Sequence, residues 1–441
     1  MNLLLIGALL ILISLVFLFS GMPLAFALGI SGLVISLLFG IPEQFNFMAD
    51  IFYSCLDSFG LLAVPLFIFM GTIIGSSRAG NDLYEAVHRW AYKIPGGLVI
   101  SNIVACAIFS AMCGVSAATA AAIGASGIPQ MIKRGVKPSL ATGSIVAGGT
   151  LGILIPPSVT MIVYGIVTET SIGKLFIGGI IPGIMISLMF AGWAVISSYK
   201  YKKDTEFRED NLEKREYYSF KDKIQLLPKV IPFIVIIVTI MYVLYGGLAT
   251  PSEAGGVGSI VAFILIVLLY KVFTLREHAQ ILKTTINEST MILMLIAASY
   301  FFGAVLTKLY VTQTITNIII SLPLSRWVLM VIINIMLLLL GTLIPPVAII
   351  LIVSPILLPI LLSLGFDPVW FGVLMTLNME VGLITPPVGV NLYIVQGIAP
   401  DVPLSEVLKG TIPFVIILLL GLIILSIFPE LVLWLPSKMI I

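Results

Sequence analysis

Charged side chains are scarce in this 441-residue sequence: 23 Lys and Arg together with 21 Asp and Glu make up only 10% of the residues. Soluble domains carry about 25% charged residues, so the composition excludes a soluble globular protein. The three cysteines, Cys55, Cys106 and Cys113, have neither metal-ligand nor disulfide spacing. With two histidines, no H-E-x-x-H motif and no nucleophile–base pair, the sequence does not predict an enzyme such as an intramembrane hydrolase. It contains no basic patch with interleaved aromatics, so no nucleic-acid partner is expected.

What the sequence does contain is a series of long apolar runs, and 59% of its residues are hydrophobic. Runs long enough to cross about 30 Å of hydrocarbon occur near residues 3–20, 22–40, 60–77, 176–199, 231–247, 255–270, 288–307 and 411–436. The first run lacks the basic start of a signal peptide and is interpreted as a retained helix. These features predict an all-α polytopic membrane protein.

Four other apolar regions are interrupted in their middle. Residues 98–131 and 326–362 each contain two short apolar segments of about 22 Å, which predicts two re-entrant helical hairpins. The regions that follow, 138–165 and 368–396, carry GGTLGILIPPS and VGLITPPVGVN near their centres and are predicted to be broken helices. Proline keeps an unwound segment from re-forming a helix. Irregular backbone is tolerated at membrane depth only where it is buried in protein or lines a cavity.

When the first half of the sequence is shifted by one constant number of residues, its helix-breaking glycines and prolines align with those of the second half. It places Pro129 on Pro359, Gly135 on Gly365, Pro138 on Pro368, Gly152 on Gly382, and the pair Pro156–Pro157 on Pro386–Pro387. Shared hydrophobicity explains matching leucines, but it does not explain matching glycines and prolines. The sequence therefore predicts an internal repeat, with residues 1–199 and 230–441 as its two units and the charged segment 200–229 as a linker.

The distribution of basic residues predicts that the two units are inverted. The loop 133–137, KRGVK, has three basic residues, whereas the equivalent loop 363–367, SLGFD, has none. Because positive residues stay on the cytoplasmic side, equivalent loops are expected on opposite sides of the membrane, and the linker 200–229 is expected in the cytoplasm. Inverted repeats with discontinuous helices are typical of secondary transporters, which bind substrate and ions at the broken helices.

Five stretches resemble a known family: GMPLAFALG at 21–29, GGTLGILIPPS at 148–158, GGLATPSEAG at 246–255, GTLIPPVAI at 341–349 and VGLITPPVGVNLY at 381–393. With these motifs the chain resembles the large membrane subunit of tripartite ATP-independent periplasmic (TRAP) transporters, the DctM-like family. The resemblance implies a sodium-coupled, elevator-type importer of organic acids in the bacterial inner membrane, surrounded by membrane lipid. It also implies two protein partners: a periplasmic binding protein (DctP-like) and a small four-helix membrane subunit (DctQ-like), the latter expected as a separate chain.

The same resemblance implies sodium sites at the hairpin tips and the unwound helices. Their expected residues are Gly114, Ser116, Gly149, Thr150, Gly152 and Pro156 in the first unit and Gly341, Thr342, Ile344, Gly382, Thr385 and Pro386 in the second. The expected substrate-binding residues are Ser116, Ser158, Pro345 and Asn391. Much of the sodium ligation would come from backbone carbonyls, so no intramembrane acid is required.

Several residues keep two interpretations at this stage. Hydroxyls at the tips could contact an ion or bond their own backbone, and Asn391 could contact the substrate or tie two helices together. Glu380 could tune a cation site, carry a proton or lock its helix to a neighbour, whereas Glu253 is expected to cap a helix. His88 and Arg89 are predicted to lie on a solvated face.

The substrate and the mode of coupling also stay open. Sialic acid, as in SiaM-type members, and C4-dicarboxylates both fit the resemblance. The alternative function is a stand-alone sodium-coupled organic-anion symporter or antiporter of the same inverted-repeat architecture, which would need no binding protein. The sequence does not identify the contact to the substrate carboxylate, since no Arg or Lys lies in the broken segments.

Overall fold

The computed structural model describes residues 9, 12–14, 16, 17, 20–39, 43–204, 218–271 and 274–439. Most of the described chain is helical, and this part of the chain contains no β-strand. Among these residues, seven helices are long and apolar enough to cross a membrane, or eight if the bent pair Phe47–Leu56 and Phe59–Gly75 counts as one span. The predicted all-α, multi-pass membrane fold is therefore confirmed. Most of the expected first helix near 3–20 lies outside the described residues.

The helices are numbered here in chain order. They are α1 (Leu24–Leu38), α2 (Glu43–Leu56), α3 (Ala63–Gly75), α4 (Ala79–Ala91), α5 (Gly97–Cys113), α6 (Ser116–Lys133), α7 (Pro138–Leu154), α8 (Val159–Val167), α9 (Ile172–Asp204), α10 (Phe220–Ile224), α11 (Leu227–Tyr245), α12 (Pro251–Tyr270), α13 (Leu275–Lys308), α14 (Val311–Ser321), α15 (Arg326–Gly341), α16 (Pro346–Ser363), α17 (Pro368–Leu383), α18 (Val390–Ile398), α19 (Leu404–Ile427) and α20 (Glu430–Leu433). Short 3₁₀ turns occupy Phe59–Leu62 and Pro436–Lys438.

Each of the two hairpin regions consists of two helices separated by a short break. α5 ends at Cys113 and α6 begins at Ser116, whereas α15 ends at Gly341 and α16 begins at Pro346. α5 has 17 residues and α15 has 16. At 1.5 Å per residue these helices measure about 25 Å, less than the roughly 30 Å of a hydrocarbon core.

The two broken helices are interrupted at positions that correspond under the same constant shift. α7 ends at Leu154 and α8 resumes at Val159, whereas α17 ends at Leu383 and α18 resumes at Val390. The constant shift that relates the glycine and proline patterns carries both ends of α6 (116–133) onto those of α16 (346–363). Each break contains a proline pair joined by a cis peptide bond.

The core of the molecule lies around α7 and α17, which are buried along almost their whole lengths. α7 packs against α5, α6 and α19, and α17 packs against α15, α19 and α9. Small residues on α7 allow its neighbours to approach closely. Where α19 crosses it, a Cβ added to Gly410 would lie 1.8 Å from the Ser139 carbonyl oxygen. A second group of helices, α1, α2, α3, α12 and α13, packs largely among its own members.

The helix cap predicted at Glu253 is confirmed. Thr250 precedes α12, its hydroxyl accepts a hydrogen bond from the Glu253 N–H, and the Glu253 carboxylate accepts one from the Thr250 N–H. This reciprocal arrangement satisfies two backbone donors that the start of a helix leaves open.

The solvated face predicted for His88 and Arg89 is wrong for the histidine. His88 lies on α4 and is only 4% exposed, because the rings of Tyr84 and Tyr218 cover it with centroids 6.1 and 5.9 Å away. The half-buried Arg89 donates from Nη1 to the Asp222 carbonyl oxygen at 2.7 Å. α4 is therefore covered by the end of the charged segment, a tertiary contact that local polarity does not reveal.

Candidate functional site

The tip of the first hairpin lies directly on the break in the first discontinuous helix. Gly114 has a left-handed conformation with φ +67°, which glycine adopts without steric cost. A Cβ at this position would lie 2.7 Å from the Pro157 carbonyl oxygen, so there is no room for a side chain. The Val159 N–H, the first of α8, donates to the Gly114 carbonyl oxygen at 3.4 Å. Hairpin tip and helix break thus form one backbone-lined contact, called here the first junction.

Two glycines on α7 allow α6 to contact the helix just before the break. A Cβ added to Gly152 would lie 2.7 Å from the Val115 carbonyl oxygen, and one added to Gly149 would lie 2.7 Å from Ala120 Cβ on α6. Small residues are the usual means by which membrane helices approach this closely. They bring the beginning of α6, with Ser116, against α7.

Asn391 connects the second half of the chain to the first junction. Its Nδ2 donates to Ser116 Oγ at 2.8 Å and to the Val146 carbonyl oxygen at 3.1 Å, and Ser116 Oγ donates to Asn391 Oδ1 at 3.2 Å. Ser116 is 4% exposed and Asn391 is fully buried. The two side chains are 275 positions apart in sequence, so this polar contact is built jointly by both halves from α6, α7 and α18.

The other two polar side chains of the first junction bond locally. Thr150 Oγ1 donates to the Ala147 carbonyl oxygen at 2.6 Å. Ser158 caps α8, and its Oγ accepts a hydrogen bond from the Met161 N–H at 3.4 Å. Both residues are buried. These bonds leave acceptor lone pairs on Thr150, which suit a cation or a donor group.

The tip of the second hairpin meets the second helix break in the same way. A Cβ added to Gly382 would lie 2.3 Å from the Gly341 carbonyl oxygen. The Val388 N–H donates to the Thr342 carbonyl oxygen at 3.1 Å. In this second junction, as in the first, an amide just after the proline pair donates to a carbonyl at the hairpin tip.

The hydroxyls of the second junction also bond their own helices. Thr342 Oγ1 and Thr385 Oγ1 donate to carbonyl oxygens three and four residues earlier, at 2.8 and 2.6 Å. Ile344 and Pro345 complete the hairpin tip, and Pro345 directly precedes α16. Both Pro345 and Pro386 are exposed. The residues expected at this site therefore surround a tip that is open on one side.

The two junctions differ in exposure. At the first, Gly114, Ser116 and Pro156 are all buried. At the second, Leu343 is 42% exposed and Val388 is 40% exposed. The structure thus closes one hairpin tip within the protein and leaves the other uncovered.

Glu380 lies on α17, two residues before Gly382. Its side chain is 0% exposed, and neither carboxyl oxygen has a hydrogen-bond partner among the described residues. By contrast, Asn378 Nδ2 donates to Asn334 Oδ1 at 2.9 Å and ties α17 to α15. Under the shift that relates the two units, Glu380 corresponds to Thr150, so one unit has an unpaired carboxyl where the other has a hydroxyl that bonds its own helix.

The first hairpin tip also contacts α3. A Cβ added to Gly71 would lie 2.5 Å from the Cys113 carbonyl oxygen, and Cys113 Sγ lies 3.8 Å from the Gly71 carbonyl oxygen. α3 itself packs against α12 and α13. This glycine contact therefore joins the hairpin to the second helix group.

A cavity of about 680 Å³ lies apart from the two junctions, between the α8–α9 turn and the α11–α12 turn. Its lining includes Ser54, Glu169, Gly247 and Tyr300, and the Tyr300 hydroxyl donates to the Ile166 carbonyl oxygen at 3.2 Å. The Glu169 carboxylate repels anions. The cavity is therefore a poor place for an organic acid to bind, and it separates α8 from parts of the second helix group.

The junctions combine two kinds of groups. Carbonyl groups at the ends of α7 and α17 have no intrahelical partners, and neither do the N–H groups at the starts of α8 and α18. Such carbonyls bind hard cations, and such N-termini favour a carboxylate. The sequences of α7, α8, α17 and α18 contain no Lys, Arg or His, so these helices offer an anion neutral hydrogen-bond donors and no basic side chain.

The structure brings the expected residues of each unit together at its own junction. Ser116 and Asn391, both expected to bind substrate, are in direct contact, whereas Pro345 lies at the other junction. Sequence reasoning missed the Val146 carbonyl, because a backbone acceptor leaves no sequence signal. It also missed Gly71, whose role depends on a helix distant in sequence.

Comparison with known proteins identifies the family. The family model for the DctM component of tripartite ATP-independent periplasmic transporters matches residues 11–431. The C4-dicarboxylate TRAP transporter large permease protein DctM of Pseudomonas aeruginosa is 34% identical over 411 residues, which cover 93% of this chain and 94% of that protein. The sialic acid TRAP transporter large permease protein SiaM of Vibrio cholerae is 32% identical over 424 residues, covering 95% and 96%.

Two solved structures show the same fold at low identity. The Alcanivorax borkumensis YdaH transporter matches with a TM-score of 0.62 at 14% identity, covering 90% of this chain and 88% of its own. Neisseria gonorrhoeae MtrF matches with a TM-score of 0.59 at 12% identity, covering 88% and 84%. The sequence relatives are transporter permeases and not enzymes. This chain belongs to the DctM family, the large permease component of TRAP transporters.

Proposed function

We propose that this chain carries an organic acid into the cell together with sodium, by an elevator movement across the bacterial inner membrane. The observation that carries the proposal is the pair of backbone-lined junctions, each made of a hairpin tip and a broken helix and related by one constant shift along the sequence. Secondary transporters with inverted repeats bind ions and substrate at such broken helices. The basic loop 133–137 and the charged segment 200–229 then lie in the cytoplasm.

Sodium ions bind at the two junctions. The first offers the backbone around Gly114 and Gly152 with the hydroxyls of Ser116 and Thr150. Thr150 suits this role because its proton is committed to the Ala147 carbonyl, which leaves its lone pairs free. The second junction offers the corresponding hydroxyls and carbonyls from the second hairpin tip and α17. Neutral oxygens suffice for such a cation, and no acid is needed as a ligand.

The organic acid binds beside Ser116 and Asn391. These side chains are provided by the two halves of the chain, as a site between repeats requires. With no basic side chain on the broken helices, the carboxylate is bound by hydroxyl, amide and helix N-terminal N–H groups. C4-dicarboxylates and sialic acid, named for two relatives, are both organic acids and are the substrates to test first.

The transporter works with a periplasmic binding protein and a small membrane subunit. Support comes from relatives that carry TRAP transporter names. Another relative is the isethionate TRAP transporter permease protein DctMQ of Oleidesulfovibrio alaskensis, whose name combines M and Q. It is 31% identical to this chain, and the match covers 94% of this chain but 64% of that protein. A Q-type small subunit is accordingly proposed as a partner of this chain.

In the elevator movement, the hairpins and broken helices move against the second helix group, α1–α3, α12 and α13. The exposed apolar residues of α12, such as Val257 at 62% and Leu268 at 67% exposure, suit a fixed part that faces lipid or the small subunit. The first hairpin tip touches this group through the Gly71–Cys113 contact, and that contact must separate as the moving part travels.

The decisive experiment is uptake into proteoliposomes that contain this chain and its small partner. Labelled succinate and labelled sialic acid are supplied in parallel, each with its matched binding protein, with and without an inward sodium gradient. Uptake that requires both sodium and the binding protein is the expected result, and the acid that accumulates identifies the substrate class.

Two other outcomes contradict parts of the proposal. Sodium-driven uptake that is indifferent to the binding protein would favour a stand-alone symporter or antiporter of the same architecture. Uptake that is indifferent to sodium would remove the sodium assignments at both junctions.

A further inference from the structure

A groove of about 540 Å³ lies between α15 and α19, away from both junctions. Its lining side chains include Trp327, Val331 and Ile335 on α15 and Ile423 and Ile427 on α19. Each of these five side chains is between 42% and 63% exposed. Because α19 is one of the helices able to span a membrane, the groove opens to lipid, and its occupant must be apolar at that depth.

The polar side chains inside the groove already have partners within the protein. Asn334 accepts a hydrogen bond from Asn378 Nδ2 at 2.9 Å and donates one to the Met330 carbonyl oxygen at 2.9 Å. Ser426 Oγ donates to the Leu422 carbonyl oxygen at 2.7 Å. The groove therefore presents mainly carbon surface to its occupant, which suits an acyl chain and not an organic acid.

The groove has the length of one membrane leaflet. On α15 its lining runs from Trp327 to Leu338, which is about 16 Å at 1.5 Å per residue. Half of a hydrocarbon core is about 15 Å. The Trp327 ring belongs to an aromatic cluster, with the ring centroids of Phe366 and Trp370 at 5.4 and 6.4 Å. Because such residues are enriched at the membrane–water interface, we place this end of the groove at the level of the lipid headgroups.

Arg326 lies at the headgroup end of the groove, as the first residue of α15. Its guanidinium carbon lies over the rings of Trp327 and Phe366, 5.5 and 5.6 Å from their centroids. Stacking uses the flat faces of the guanidinium and leaves its N–H edge for a phosphate, whose geometry that edge matches.

The protein itself leaves this cation without a counter-charge. Arg326 is exposed, and the described part of the chain supplies neither an ion-pair nor a hydrogen-bond partner for its guanidinium. The nearby Asp367 uses its carboxylate to cap α17, where Oδ1 accepts hydrogen bonds from two backbone N–H groups. An isolated cation thus stands at headgroup level, directly above an apolar groove of one leaflet's depth.

We propose that this groove is a binding site for one anionic phospholipid, with an acyl chain between α15 and α19 and the phosphate on Arg326. A phospholipid fits the charge and the groove at the same time. An anionic lipid is preferred, because it brings no cation of its own next to the guanidinium. Arg326 Nη1 lies 3.9 Å from a Cβ added to Gly365, in the loop that the proposed orientation places on the periplasmic side. The inference goes beyond the proposed function, since it concerns neither substrate nor sodium.

The first test is photo-crosslinking of the purified full-length chain in phosphatidylcholine nanodiscs. The probe is a small fraction of phosphatidylglycerol that carries a diazirine in one acyl chain, and mass spectrometry identifies the labelled residues. We expect stronger labelling at Val331, Ile335 and Ile423 than at Val257 and Leu268. The latter two are exposed apolar residues of α12 and report lipid contact in general. Equal labelling of the two sets would overturn the proposal, because the groove would then be ordinary lipid-facing surface.

Arg326→Gln tests the contact to the phosphate. It is expected to lower groove labelling about tenfold at limiting probe, because the charge-assisted hydrogen bonds are lost. Lys308→Gln is the matched control, since it removes one positive charge from an exposed residue at the end of α13. Unchanged labelling in Arg326→Gln, or an equal loss in Lys308→Gln, would contradict the phosphate contact.

Ile335→Trp tests the position of the acyl chain by filling the groove. Ile335 and Ile332 are 52% and 51% exposed on the same helix, but only Ile335 belongs to the groove lining. Both substitutions are at exposed positions, so both variants should fold. Ile335→Trp is expected to abolish labelling of Ile423 across the groove, and Ile332→Trp to preserve it. Labelling of Ile423 that survives in Ile335→Trp would place the chain outside the groove and overturn the proposal.

Two further arms separate a lipid from other occupants. Unlabelled phosphatidylglycerol should displace the probe, whereas millimolar inorganic phosphate should not, because it has no acyl chain. Displacement by inorganic phosphate, or loss of groove labelling when the small membrane subunit is added, would assign the groove to a free anion or to a protein and refute the inference. None of these experiments measures transport, so their failure would leave the proposed function intact, and sodium-independent uptake would leave the lipid site intact.

Discussion

At the first junction Asn391 donates hydrogen bonds to the Ser116 hydroxyl and to the Val146 carbonyl oxygen. Replacement by leucine removes both bonds and leaves the buried Ser116 hydroxyl without its partner. We expect Asn391→Leu to lower the free energy of unfolding by about 1–3 kcal/mol, measured by denaturant titration in bicelles. Asn317→Leu, at an exposed position of α14, should change it by less than about 0.5 kcal/mol.

A double-mutant cycle tests whether the two halves are coupled through this contact. Ser116→Ala combined with Asn391→Leu should show an interaction energy of about 0.5–3 kcal/mol. Strict additivity would mean that the hydrogen bonds contribute nothing beyond the packing of each residue alone.

A substitution of the single residue Gly152 tests whether the first junction binds sodium. A methyl group there would lie 2.7 Å from the Val115 carbonyl oxygen and push the hairpin tip off α7. We expect Gly152→Ala to reduce sodium-driven uptake by about tenfold or more, the factor that corresponds to about 1.4 kcal/mol, while the protein remains folded. Gly192→Ala is the control, because nothing lies within 4 Å of a Cβ at that position. Normal sodium dependence in Gly152→Ala would show that the junction does not bind the ion.

At the scale of elements, the crossing of α7 and α19 depends on Gly410. Its missing Cβ would lie 1.8 Å from the Ser139 carbonyl oxygen, so alanine forces the two helices apart. We expect Gly410→Ala to lower the free energy of unfolding by about 1–3 kcal/mol, the usual cost of overpacking. Gly397→Ala on α18, where a Cβ meets nothing within 4 Å, should be neutral or stabilise by up to about 1 kcal/mol. Equal stability of the two variants would contradict the close crossing.

The ends of these elements could be predicted because glycine and proline act locally on the backbone. α7 and α17 both begin at a proline, and both broken helices end before a proline pair. The family, too, could be recognised from these same motifs. The side-chain partners could not be predicted, because they come from remote segments: Tyr218 covers His88, and Asn391 contacts Ser116 across 275 positions. The isolation of Glu380 is likewise a property of its packed neighbouring helices and not of its own sequence window.

At the scale of the whole molecule, two native cysteines can test the proposed elevator movement. Cys113 packs against Gly71 of the second helix group, whereas Cys106 faces Gly148 within the part proposed to move, where an added Cβ would lie 2.7 Å from its sulfur. Both are buried in this state. In a Cys55→Ser background, we expect a maleimide to label Cys113 at a rate that changes with sodium and substrate, and to label Cys106 slowly throughout.

The comparison of the two cysteines separates movement from unfolding. Local unfolding would expose both thiols together, whereas an elevator exposes Cys113 alone. Protection of Cys113 under every combination of sodium, substrate and binding protein would mean that the hairpin stays on α3, and the elevator proposal would then fail.

The hydrogen bond between Ser116 and Asn391 has a consequence for biosynthesis. Ribosomes add about 5–20 residues per second, so Ser116 is synthesised roughly 14 to 55 s before its partner, given the 275 positions between them. During that interval the first hairpin is in the bilayer with a polar tip and an incomplete set of neighbours. Nascent chains that stop before α18 therefore present an unfinished first junction, which distinguishes them from complete chains for membrane proteases and insertases.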